Sequence, residues 1–82
     1  MSHISQPTNQ LRARWARNAL TIFTDATFSG DHPDTMHRDD LECAISDLIA
    51  DLLHLADQKG FDPQVILEHA HANFKTELLL DD

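Results

Sequence analysis

Asp40, Asp47, Asp51 and His54 are the residues of this chain whose types and spacing could do chemistry. Intervals of seven, four and three place them along one stripe of a helix, because side chains three, four and seven apart share a face. Carboxylates and an imidazole on one stripe could hold a hard divalent ion, Mg²⁺ or Mn²⁺, which prefers carboxylate oxygen with some imidazole. The same spacing also arises with no ion involved. Polar residues of an amphipathic helix lie away from the core, so aspartates four apart recur there by default.

The other reactive side chains point less clearly to chemistry. His69 and His71 diverge by about 200° around a helix and cannot share one face; His32 and His37 flank a turn. The six histidines make net charge sensitive to pH over roughly 5 to 8. No HExxH zinc pair, G-x-S-x-G nucleophile elbow, phosphate loop or dinucleotide fingerprint occurs, and no catalytic residue is assigned. Cys43 is the single cysteine, which excludes an internal disulfide framework and a cysteine zinc cage. Its only basic neighbours in sequence are His37 and Arg38, so it reads as a small, partly buried residue and not a nucleophile.

Three helical stretches must position these residues, over about 10–27, 37–59 and 63–79, after a polar leader at 1–9. In the first, Leu11, Trp15, Ala19, Ile22 and Ala26 recur at helical spacing, with Arg14, Arg17, Thr21 and Thr24 on the opposite side. Trp15 reads as a packing anchor. The cluster Ser29-Gly30-Asp31-His32-Pro33-Asp34 ends that helix. The middle stretch carries Leu41, Ile45, Leu48, Leu52 and Leu55, widened by Ala44, Ile49 and Ala56, with Leu53 still further round. Asp39 and Asp40 complement the dipole of its first turn, and Lys59-Gly60 forms its end. At 1.5 Å per residue it is about 33 Å long and spans the domain. Asp62 caps the third helix with Pro63 at its first position, and Ile66, Leu67, Ala70, Phe74 and Leu78 form its apolar face. No alternating pattern signals a strand. The expected fold is all-α, a single helical domain over 10–80.

Composition bounds what such a domain can do. The 82 residues hold six Lys and Arg against fourteen Asp and Glu, a formal charge of −8, which argues against direct binding of nucleic acid or an anionic membrane. The charge is uneven. Through Leu20 there are three arginines and no acid, and beyond it three cations face all fourteen acids, a local −11. A basic helix start beside solvated acidic faces accounts for this, as does pairing of one subunit's arginines with a neighbour's acids. No apolar run approaches the roughly 20 residues of a membrane span, and no signal-peptide core is found, so a cytoplasmic location is expected. A domain this small buries only about 60% of its unfolded surface, and the middle helix is apolar over about half its circumference. Two neighbouring helices leave part of that arc, and Leu78-Leu79-Leu80, uncovered. A homodimer pairing the long helices in a four- or six-helix bundle is therefore expected. Its interface and core would draw on Leu11, Trp15, Ile22, Leu41, Ile45, Leu48, Ile49, Leu52, Leu53, Leu55, Ile66, Leu67, Phe74 and Leu78.

The stretch SDLIADLLHLADQKGFDPQVILEHAHANFKTE, running from Ser46, resembles the last two helices of the MazG-like all-α nucleotide pyrophosphohydrolases. Both have a helix ending Leu-Ala-Asp, a turn with glycine, an apolar residue and aspartate, and a closing amphipathic helix. FTDATFSGDHPD is similar to the turn after the first helix in some phage-borne relatives. The resemblance implies carboxylates in two motifs, E-E-x-x-E and E-x-x-D, holding magnesium ions that polarise a triphosphate and activate water. Asp47 matches the aspartate of the second motif, whereas Ala44 stands in place of its glutamate. The first helix has no E-E-x-x-E, its only acid being Asp25. The resemblance therefore implies a shortened relative without catalysis.

Three functions follow as expectations. The first is a small acidic interaction or accessory module acting as a homodimer, without catalysis and without a cofactor. The second is an acidic protein that imitates nucleic acid and occupies the basic groove of a DNA- or RNA-handling partner, as mobile-element inhibitors do. The third is a nucleotide pyrophosphohydrolase dependent on Mg²⁺ or Mn²⁺.

Overall fold

The computed structural model describes residues 7–27 and 31–80. They form α1 (Asn9–Thr27), a short 3-10 turn (Pro33–Thr35), α2 (Arg38–Gln58) and α3 (Pro63–Leu80). The fold is all-α with a long middle helix, and no strand occurs among the described residues. Of the expected leader, residues 1–6 lie outside the described residues, as do Ser29 and Gly30 of the turn cluster. Asn9, the last residue of that leader, belongs to α1.

Each helix starts on a side chain that satisfies backbone N–H groups left without an intrahelical partner. At α1 the Leu11 amide donates to Thr8 Oγ1 at 3.1 Å. At α2 the cap is His37, whose Nδ1 accepts from the Asp39 amide at 3.3 Å, with Asp39 and Asp40 in the first turn. At α3 Asp62 Oδ1 accepts from the Gln64 amide at 2.9 Å, and Pro63 occupies the first helical position. There proline's missing N–H costs nothing.

The α2–α3 connection is a Schellman turn. The Phe61 amide donates to the Ala56 carbonyl at 3.0 Å and the Gly60 amide to the Asp57 carbonyl at 3.1 Å. Gly60 sits at φ +81°. An added Cβ there would meet nothing within 4 Å, so substitution strains the backbone alone. Gly60→Ala is expected to cost about 1 kcal/mol, the penalty of a left-handed L-residue. Urea denaturation checks this, and an unchanged midpoint would mean that the turn relaxes elsewhere.

Through this turn α3 folds back against α2, while α1 packs on α2 and the 3-10 turn. The start of α1 is tied to the end of α3. Asn9 Nδ2 donates to the Glu77 carbonyl at 3.0 Å, and Arg12 Nε lies 3.3 Å from Glu77 Oε2. Arg17 pairs with Asp34 of the 3-10 turn at 3.6 Å. Two of the three arginines at the basic start are thus paired within the chain.

The buried set is small: Leu20 and Thr24 on α1, Pro33, and Ala44 and Ala56 on α2. Thr24 is fully buried, with its hydroxyl donating to the Thr21 carbonyl at 3.2 Å. On α1 this differs from the periodic pattern. Its packed side carries Leu20 and Thr24, whereas Trp15 and Ile22 are 53% and 76% exposed and Ala19 and Ala26 also face outward. Trp15 is therefore not a packing anchor within the chain. The physical reason is size, because Leu20 and the small Thr24 let α1 approach closely where an indole would hold it off.

Candidate interaction face

Between α1 and α2 lies an open apolar trough of about 600 Å³. Its floor is one stripe of α2: Leu41, Ile45, Leu48, Ile49 and Leu52. These residues recur every three or four positions, so a single helix face sets them all at one level. Ala13, Ala16 and Leu20 of α1 form a wall, and Pro33 with Asp34 closes one end. Leu52 also lines a second hollow of about 370 Å³ with Leu55, Phe61 and Ile66, where α2 turns into α3. The two hollows meet at Leu52, which lines both. Ile45, Ile49, Leu52 and Leu55 remain 44–54% exposed, whereas Leu41, Leu48 and Leu53 of the same helix are half-buried.

Of the expected interface residues, Leu41, Ile45, Leu48, Ile49 and Leu52 line the trough, and Leu52, Leu55 and Ile66 line the second hollow. Leu53 is half-buried elsewhere on α2, beside Ala50, His54, Asp57 and Pro63. Leu67, Phe74 and Leu78 of α3 are exposed. Leu11 is half-buried, and Trp15 and Ile22 lie on the outward side of α1. Sequence periodicity misses Phe61, Ala13, Ala16 and Pro33. Phe61 could have been found from the Schellman turn, whose residue after the glycine packs back on the helix end.

Asp40, Asp47, Asp51 and His54 are all exposed on α2. Among the described residues, no three His, Cys, Asp or Glu side chains come together closely enough to hold a metal ion. The four lie along one helix with no facing carboxylate from α1 or α3 to complete a cage. Cys43 is exposed, not partly buried, because it sits on the side of α2 away from the trough. Among the described residues, no helix is long and apolar enough to cross a membrane.

Fold and face together define an all-α three-helix chain whose principal surface feature is an uncovered apolar trough. No protein-family model, curated protein or solved structure matches it.

Proposed function

We propose that this chain is a small acidic interaction module that acts as a homodimer and carries out no catalysis of its own. The observation that supports this is the amount of surface left open, with fourteen large hydrophobic residues among what is exposed. The chain exposes 6867 Å². A compact monomer of its mass would expose roughly 5,000 Å², so about 1,900 Å² is in excess. Obligate homodimers bury roughly 1,000–2,500 Å² per subunit. The radius of gyration points the same way, 14.8 Å against about 12 Å for a compact chain of this length. Leu20, Ala44 and Ala56 are its only buried apolar residues besides Pro33 among the described residues, too little to hold three helices together without further cover.

Sedimentation velocity over a roughly hundredfold range of concentration tests the reading, since an obligate dimer loses mass only on dilution. The expected mass is twice the 9.3 kDa of the chain. A well-folded monomer throughout would overturn it.

One observation favours a second reading. Asp39, Asp40, Asp47, Asp51 and Asp57 are all exposed on α2, and none of them pairs with Lys or Arg. Such a face suits a basic partner that ordinarily holds nucleic acid. Binding to that partner would weaken steeply with salt, whereas association through apolar side chains would not.

A further inference from the structure

We infer that the occupant of the trough is a second copy of this chain, its α2 facing the first across a two-fold axis near Leu48 and Ile49. The inference rests on the homodimer reading and deepens it, because several apolar surfaces compete to be the interface. The outward side of α1 offers Trp15 and Ile22 as its large residues, with alanines between them. α3 offers Leu67, Phe74 and Leu78 along one side, up to two turns apart, and Leu79 and Leu80 at its end. The trough offers a large branched side chain at every turn from Leu41 to Leu55, a run of about 21 Å at the helical rise.

Charge discriminates among these surfaces. Two copies of −8 repel, so the surface that joins them must keep carboxylates out of its centre. Asp40, Asp47 and Asp51 lie about 110° to 150° around α2 from the line joining Ile45 and Leu52, and Glu42, at about 70°, stands at the rim. The charged residues lining the main trough are Arg17 and Asp34, and they neutralise one another at 3.6 Å. The main trough is therefore a long apolar surface whose lining charges are already paired, with Glu42 and Lys59 left at its rim.

Symmetry and area complete the argument. A two-fold contact presents the same patch from both sides, so one interface covers both troughs, whereas an unrelated helix would cover a single trough. The roughly 1,900 Å² of excess surface per chain falls within what an obligate homodimer buries.

The test compares three single variants of the full chain by sedimentation velocity, with circular dichroism to follow helicity. Ile49→Glu places a carboxylate on the trough floor. Ala16→Arg blocks its wall at a position that is exposed in the subunit and takes no part in the Leu20–Thr24 contact, so helicity should be retained. Ile22→Glu charges the outward side of α1. The dimer dissociation constant is expected to rise about 30-fold or more in the first two and to change little in the third, as for loss of a central interface anchor. A helical wild-type dimer that survives both Ala16→Arg and Ile49→Glu would overturn the inference and leave the homodimer reading standing, with dissociation in Ile22→Glu then placing the interface on α1 and survival of all three placing it on α3. A wild-type monomer would overturn both.

Discussion

Leu20→Ala is expected to destabilise the chain by about 2–3 kcal/mol, whereas Ile22→Ala should cost at most about 0.5 kcal/mol in the folded subunit. Leu20 is 5% exposed where α1 meets α2, and Ile22 is 76% exposed on the far side of the same helix. Truncating a buried leucine loses its transfer energy and leaves a cavity, with a usual range of about 2–5 kcal/mol. The lower part of that range applies because Leu20 lines the open trough, where neighbours can settle into the gap. The periodic stripe of α1 predicts the reverse order, since it contains Ile22 and omits Leu20. Urea midpoints of the two variants decide between them. A larger loss in Ile22→Ala would mean that α1 sits about half a turn from its described orientation, or that its outward face is buried by association.

Dilution is expected to lower the thermal midpoint by about 3–6 °C per tenfold step, as the proposed homodimer requires. Unfolding of a dimer releases two chains, so each tenfold dilution shifts the balance by about 1.4 kcal/mol. For a folded unit of two such chains, 1 kcal/mol corresponds to roughly 2–4 °C. Scanning calorimetry at several concentrations checks the slope, and a flat midpoint would count against an obligate dimer. Raising salt should leave the slope intact, because the trough floor on α2 is built from apolar residues and not from ion pairs.

The acidic stripe shows how far spacing alone can reach. Asp40, Asp47, Asp51 and His54 do share a side of α2, as intervals of three, four and seven require. Whether such a stripe becomes a cage depends on a second helix bringing ligands opposite it, and no local spacing encodes that. In this fold the helix beside α2 brings Leu20 and Thr24 as its buried residues, and its Arg12 and Arg17 engage Glu77 and Asp34.

The sequence by itself determined the three helices and where they begin and end. Those signals are local: Asp62 with Pro63 starts α3, Asp39 and Asp40 mark the first turn of α2, and Gly60 alone accepts the positive φ that stops it. A cap is a contact between residues two or three apart, so the chain carries it wherever it folds. The inward face of α1 was decided only by the tertiary structure. Leu11, Trp15 and Ile22 form the more apolar side, yet Leu20 and Thr24 are the residues buried against the rest of the chain, and close packing favoured size over hydrophobicity. The trough likewise required the fold, because it exists only where α1, the Pro33 turn and α3 stop short of covering α2.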